Sequence, residues 1–401
     1  MLGLYIHIPF CRKICDYCDF RVISANDKLF GEYSDLLCRE MELFEASRPG
    51  LLKNVETLYL GGGTPSILPR ESLRQIFDCL RALGVNVSGL REVYMEFNPE
   101  STTPRSIEYA LDLGVRRFSL GLQTFDSQML SRIGRAHSVA AGINALELLL
   151  KYPGTRVSGD LMFNLPEQTV GGFLNDVDRL SDYPLSHISF YGLTVNPKSI
   201  LAQKVEKGIF HLDEDLYEPM YMGGVALLER KGFKRYEVSN FAVPGFESAH
   251  NRNYWQRGEY IGFGPGAHSY VEDVRFYAPE MYPRWREYVT NKCPEKLLAK
   301  DVLTEEDKLM EIFWLSFRQA SGLDLRELEK MGKFLPEKSY AKWLDKGFLT
   351  LETNVGNQRK LALSGRGWIF MDDIVTDLVD KCCDFGSNAI VRVFSHEFAR
   401  I

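Results

Sequence analysis

Apolar positions along this chain switch between two periods. Short runs rich in β-branched and aromatic residues, at 4–9, 56–60, 93–97, 117–121, 157–162 and 188–193, alternate with longer stretches such as 32–44, 71–83 and 139–150, where apolar residues fall three and four apart. The first pattern predicts strands, and the second predicts helices that bury one face. Their regular alternation predicts successive βα units around a parallel sheet. Six such units predict an α/β fold built as a partial (β/α)6-type barrel. Parallel sheets collect their chemistry at the carboxyl ends of the strands. In this chain those positions are polar: a cysteine cluster after the first run, Gly61-Gly62-Gly63-Thr64-Pro65 after the second, Glu96 in the third, Gln123 after the fourth and Asp160 near the end of the fifth.

The texture changes beyond about Ala299. Residues 303–376 read as three helices, a small hairpin at 349–352 and 360–363, and a further helix, an order that resembles a winged-helix module. The expected domains are therefore a barrel with a following αβ segment over 1–298, a winged-helix-like domain over 299–380 and a tail over 381–401. No repeat of solenoid length and no low-complexity tract appears.

At 401 residues, with 45% hydrophobic and 25% charged positions, the composition is that of an ordinary globular protein. A net charge of −6 without any basic run argues against a nucleic-acid partner, because phosphate binding depends on clustered Lys and Arg. The apolar opening from Met1 to Phe10 is too short to cross a bilayer, so no transmembrane segment is expected there. Eight cysteines are too few for a disulfide scaffold at this length, and three of them fall together, which points to a reducing cytoplasm.

Those three, Cys11-Arg-Lys-Ile-Cys15-Asp-Tyr-Cys18, are spaced so that one loop can wrap one metal centre. Soft thiolates select zinc or iron–sulfur centres. Structural zinc wants a fourth ligand and an electron-transfer cluster normally has four cysteines, yet no fourth lies nearby. Three ligands on a four-iron cube leave one iron open to a small molecule; a zinc clip is the plain alternative. Cys38 and Cys79 fall in helical segments as packing residues, and Cys293, Cys382 and Cys383 show no ligand spacing.

The Cys-x3-Cys-x2-Cys spacing, with aromatic Tyr17 before the last cysteine, resembles the signature of radical S-adenosylmethionine (SAM) proteins. That resemblance implies a [4Fe-4S] cluster on Cys11, Cys15 and Cys18. Its open iron would chelate SAM, and an electron from it would release a 5′-deoxyadenosyl radical. The glycine run offers unhindered backbone groups to an amino-acid moiety, though a plain tight turn would use the same residues. Glu96 is an acid in an apolar strand and needs a hydroxyl or cation partner. A structural salt bridge is the bland reading of Arg135.

Four segments narrow the resemblance: Tyr5-Ile-His-Ile-Pro-Phe-Cys11, Gly61–Pro65, Gly121-Leu-Gln-Thr-Phe125 and Tyr236-Glu-Val-Ser-Asn-Phe-Ala242. Together they are similar to oxygen-independent coproporphyrinogen III oxidase and to the HemW-type heme chaperones. Carried over, the resemblance implies SAM contacts from Tyr5, Tyr17, Gly62, Gly63, Thr64, Glu96, Gln123, Arg135, Asp160, Thr194 and His268. The oxidase has a further cysteine where this chain has Phe20, and an extension before the first strand, whereas this sequence begins almost on that strand. His250-Asn251-x-x-Tyr254-Trp255 is similar instead to a chaperone motif. An imidazole, a phenol and an indole so close together could ligate and stack on heme, although a histidine beside aromatics is also an ordinary core arrangement.

The expected function is therefore heme binding and transfer to acceptor hemoproteins such as respiratory enzymes. An electron donor such as a flavodoxin or ferredoxin would reduce the cluster, and the setting would be the cytoplasm or the inner face of the membrane. Coproporphyrinogen III decarboxylation is the alternative, and radical SAM chemistry on an unrelated substrate is the third.

Overall fold

The computed structural model describes residues 1–293, 298–354 and 358–384. They form two compact units. The first holds Met1–Arg235, Ser239–Tyr254 and Gly258–Val302; the second holds Tyr236–Val238, Trp255–Arg257 and the chain from Leu303 onward. The boundary falls after Val302 rather than at 298, because Ala299–Val302 pairs with Val274–Tyr277 and so belongs to the first unit's sheet.

Six parallel strands stand in sequence order at the centre of that sheet: β1 Leu2–Ile8, β2 Val55–Gly62, β3 Glu92–Phe97, β4 Arg117–Gln123, β5 Arg156–Phe163 and β6 His187–Gly192. The helices between them are α1 Asp27–Ser47, α2 Arg70–Ala82, α3 Pro104–Leu113, α4 Ser127–Arg132, α5 Val139–Leu150 and α6 Val170–Ser181. Each predicted strand is present with both ends within two residues of the expected bounds, β1 and β6 stopping one residue short of theirs. Region 233–270, read from sequence only as motifs, supplies edges: β7 Lys234–Arg235 and β8 Asn240–Ala242 extend the sheet beyond β6, and β9 Tyr260–Phe263 adds parallel to β1. β10 His268–Val271, β11 Val274–Tyr277 and β12 Ala299–Val302 then continue as an antiparallel meander, so the sheet has twelve strands.

The two faces of the central strands differ sharply. Leu4, Ile6, Ile8, Leu58, Leu60, Val93, Met95, Phe97, Phe118, Leu120 and Leu122 are buried on one face. The alternate positions are Tyr5, His7, Thr57, Tyr59, Tyr94, Glu96, Arg117, Ser119, Ser158, Asp160, His187 and Ser189. Those residues hydrogen-bond to one another, as in Tyr5–His7, Tyr59–Glu96, Ser119–Asp160 and Ser158–His187. An ordinary (β/α)8 barrel fills its interior with Val, Ile and Leu. This interior is a polar network whose members supply hydrogen-bond partners to one another.

The second unit follows the predicted order: helices Glu305–Phe317, Leu325–Lys330 and Glu337–Asp345, a hairpin of Leu349–Asn354 and Gln358–Leu363, then helix Met371–Val379. Leu323–Asp324 adds a third strand to the hairpin. Cys383–Asp384 pairs with Lys333–Phe334; the rest of the expected tail, 385–401, lies outside the described residues.

Candidate cofactor site

The cysteine loop leaves the sheet just past β1 and returns to the same place, because Phe10–Cys11 pairs in parallel with Ile23–Ser24. The glycine turn packs directly against its base. Gly63 N–H donates to Ile8 C=O at 2.7 Å and Thr64 N–H to Phe10 C=O at 2.8 Å. A Cβ on Gly63 would sit 2.5 Å from Phe10 O; Gly62 has φ +106° and its Cβ would meet the His7 ring at 2.6 Å. Only glycine fits either position. The middle of the loop is held by Asp16, whose N–H donates to Ile133 C=O (3.1 Å) and whose C=O accepts from Leu201 N–H (2.8 Å). Its carboxylate also pairs with Lys204. Tyr17 packs on a buried cluster of Met129, Ile133, Met162, Leu165, Leu193 and Leu201.

Two of the three sulfurs accept hydrogen bonds from side chains. Thr64 Oγ1 donates to Cys11 Sγ and Arg135 Nη1 to Cys15 Sγ, each at 3.5 Å. Arg135 Nη2 also donates to Asn98 Oδ1 and to Gly121 C=O, both at 2.8 Å, and Asn98 Nδ2 donates to Thr64 Oγ1 at 2.8 Å. The hydrogen-bond partners of Arg135 are therefore a sulfur, an amide and a carbonyl rather than the carboxylate of a structural salt bridge. Burial works against its charge, but Tyr17, Cys15 and Glu100 around it raise its pKa. Its Nε is buried with no partner among the described residues. Burial pushes the Cys11 thiol up and the Cys18 thiol up to about 12, so metal loading would release protons there.

Among the described residues, no three His, Cys, Asp or Glu side chains converge on one point for a single metal ion. A cubane takes each thiolate on a different iron and holds them further apart than the ligands of one ion. Three half-exposed thiols, with donors aimed at two sulfurs and an unpartnered guanidinium nitrogen alongside, fit that larger group.

Glu96 and Asp160 face the polar interior. Glu96 accepts from Tyr59 OH at 2.5 Å and from Gly62 N–H at 3.2 Å, and burial raises its pKa to about 7. Asp160 accepts from Ser119 and Ser158, yet burial still raises it to about 6. Tyr5 hydrogen-bonds His7 Nδ1 at 2.9 Å. Gln123 sits at a bulge between β4 and β5 with φ +69°, a left-handed conformation uncommon outside glycine. These residues, with Gly62, Gly63 and Thr64, gather on one end of the sheet. Thr194 and His268 stay outside the hydrogen-bond network: both are exposed, and the His268 ring stacks on Tyr277 at 4.5 Å. Asn98, which no sequence motif singled out, also belongs to this network; it stands immediately after β3, a polar residue at the carboxyl end of a strand like Thr64 and Gln123.

The motif at 250–255 is elsewhere. Helix Ala249–Trp255 begins under the amino ends of the strands, where Glu92 in β3 accepts from Ser248 Oγ (2.8 Å) and from the N–H groups of Ala249 (3.2 Å) and His250 (3.1 Å). His250 is 1% exposed, with Nδ1 bound to Thr57 Oγ1 at 2.9 Å and Nε2 to Tyr254 OH at 2.8 Å. Burial pushes its pKa down to about 3, so it is neutral. Trp255, assigned to the second unit, is buried with the Arg318 guanidinium 4.7 Å over its ring. In this structure both imidazole nitrogens of His250 are hydrogen-bonded and its ring is buried, at the end of the strands opposite the cysteine loop, so a heme contact by His250, Tyr254 and Trp255 would require those hydrogen bonds to open.

Comparison with known proteins bears on the family and the fold. The profile of the radical SAM superfamily matches residues 5–205. The chain is 32% identical to the heme chaperone HemW of Lactococcus lactis over 97% of this chain and 96% of that protein. It is 33% identical to the HemW of Bacillus subtilis over 84% and 88% respectively. Among solved structures, the radical SAM enzyme coproporphyrinogen III oxidase (HemN) of Escherichia coli superposes with a TM-score of 0.80 at 20% identity, covering 94% of this chain and 89% of that one. The last of these establishes the fold alone, while the near full-length matches also fix the branch. This chain belongs to the radical SAM superfamily, within its HemW group.

Proposed function

We propose that this protein is a heme chaperone that binds heme and passes it to acceptor hemoproteins, respiratory enzymes among them. It would carry a [4Fe-4S] cluster on Cys11, Cys15 and Cys18 with SAM beside it. The observation that carries this reading is the match to HemW chaperones over nearly the whole chain, extending through the second unit. The cluster would supply an electron and an open iron to which SAM binds. The chain's own residues then have distinct tasks: Thr64 and Arg135 donate to thiolate sulfurs, and the turn at Gly62 and Gly63 lets a small ligand approach the backbone. Glu96 and Asp160 present carboxyls poised to ionise against a cation or to accept from ribose hydroxyls. Tyr5, Tyr17 and Gln123 line the same end. Thr194 and His268 are proposed as peripheral SAM contacts at the rim.

Heme enters this reading without His250 as its ligand. No helix among the described residues is long and apolar enough to cross a membrane. A flavodoxin or ferredoxin is the proposed class of electron donor. The test is anaerobic: reconstitute the protein, titrate it with heme, and in parallel supply coproporphyrinogen III with SAM and dithionite. Retained heme with no porphyrinogen turnover supports the chaperone; robust decarboxylation without heme retention would replace it with the oxidase.

A further inference from the structure

Asn98 belongs to none of the sequence motifs and touches no cysteine, yet both side-chain donors to the sulfurs pass through it. Its amide orientation is dictated by chemistry. A guanidinium has only donors, so the Asn98 atom 2.8 Å from Arg135 Nη2 must be the carbonyl oxygen, and the NH2 must face Thr64 Oγ1, also at 2.8 Å. The Thr64 hydroxyl thus receives a proton from Asn98 and keeps its own for Cys11 Sγ. Arg135 Nη2, pinned between Asn98 Oδ1 and Gly121 C=O, fixes the guanidinium plane and leaves Nη1 on Cys15 Sγ. The third sulfur, that of Cys18, accepts from no side chain among the described residues.

We propose that Asn98 is a positioning residue that aims both side-chain hydrogen bonds at the cluster thiolates and thereby raises the cluster's reduction potential. Hydrogen bonds donated to cluster sulfur stabilise the reduced state, which carries one more negative charge. The inference rests on the cluster assignment proposed above but not on heme. The backbone at Asn98 is held independently, since its C=O accepts from Ser101 N–H at 3.0 Å and Thr102 Oγ1 at 2.9 Å, so its side chain can be changed with the turn intact.

The experiment is a redox titration of the reconstituted full-length protein followed by electron paramagnetic resonance, without SAM, with iron and sulfide measured for each variant. Asn98→Ala adds no charge but releases both donors, and its midpoint potential should fall below that of the wild type. Asn98→Asp keeps the shape but turns the Thr64 hydroxyl away from Cys11, and should fall further. Equal potentials in fully loaded wild type and Asn98→Ala overturn the proposal, as does a shift in Asn98→Asp alone, which bare charge explains. If Asn98→Ala does not load, Thr64→Val is compared in the wild-type and Asn98→Asp backgrounds. A Thr64→Val effect that shrinks in the Asp background supports the relay, and an unchanged effect overturns it. A wild type that binds no cluster removes the cluster assignment itself and the inference with it.

Discussion

At the scale of residues, the site is governed by burial of groups that would rather be charged or hydrated. Replacing Cys11, Cys15 or Cys18 by Ala should abolish cluster assembly, measured as loss of iron, sulfide and the visible absorbance band. Glu96 and Asp160 carry folded-state pKa values of about 7 and about 6, above their ordinary values of 4.5 and 3.8. The folded protein therefore keeps protons over a range where the unfolded chain has lost them, and stability falls as pH rises from about 4 to about 7. Every tenfold gain in proton affinity on folding corresponds to about 1.4 kcal/mol. Denaturant unfolding of the cluster-free protein across that range should show this slope, and Glu96→Gln with Asp160→Asn should flatten it; a slope unchanged in the double variant would contradict the assignment. The cysteine trio and the acids were legible in the sequence because residue type and spacing carry their chemistry. Asn98 was not, because an amide gains its role only from the two partners that the fold brings to it.

At the scale of elements, the turn at Gly61–Pro65 and the helix at Ala249–Trp255 place their motifs in different settings. A glycine run after a strand predicts close backbone approach, and Gly63 makes one, against Phe10 and Ile8 of the cysteine segment. Gly63→Ala should displace the base of that loop and lower cluster occupancy in reconstituted protein, while circular dichroism retains the folded spectrum. His250 sits among aromatics, and sequence cannot tell a ring that faces an opening from one that is buried, as this one is. His250→Ala leaves Thr57 and Tyr254 without a partner in a buried setting and should cost about 2–4 kcal/mol of stability. The folded variant should keep its heme affinity; selective loss of heme binding with stability unchanged would return the imidazole to the heme. Strand positions were legible because the barrel alternates apolar and polar faces. The edge strands β7 to β12 were not, being two to four residues long and joined by tight turns, too short for a period to register.

At the scale of the whole molecule, the barrel separates two ends by the length of its strands. The cysteine loop, the glycine turn, Asn98 and Arg135 occupy the carboxyl end, while Glu92, Arg117 and His250 close the amino end through buried contacts. A polar network of tyrosines, serines and acids runs between them, from the cysteine-loop end to the His250 end. The same frame underlies coproporphyrinogen III oxidase of Escherichia coli, so architecture alone does not choose between carrier and enzyme. The chaperone reading proposed above rests on the HemW matches, and on that proposal heme is a cargo held and released. The most direct measurement is an anaerobic transfer assay in which cluster-loaded protein is mixed with heme, freed of excess and presented to an apo-hemoprotein. The account predicts a shifted Soret band on the loaded protein, followed by its decay as the acceptor's own heme spectrum grows. A fully cluster-loaded protein that retains no heme under these conditions would contradict it.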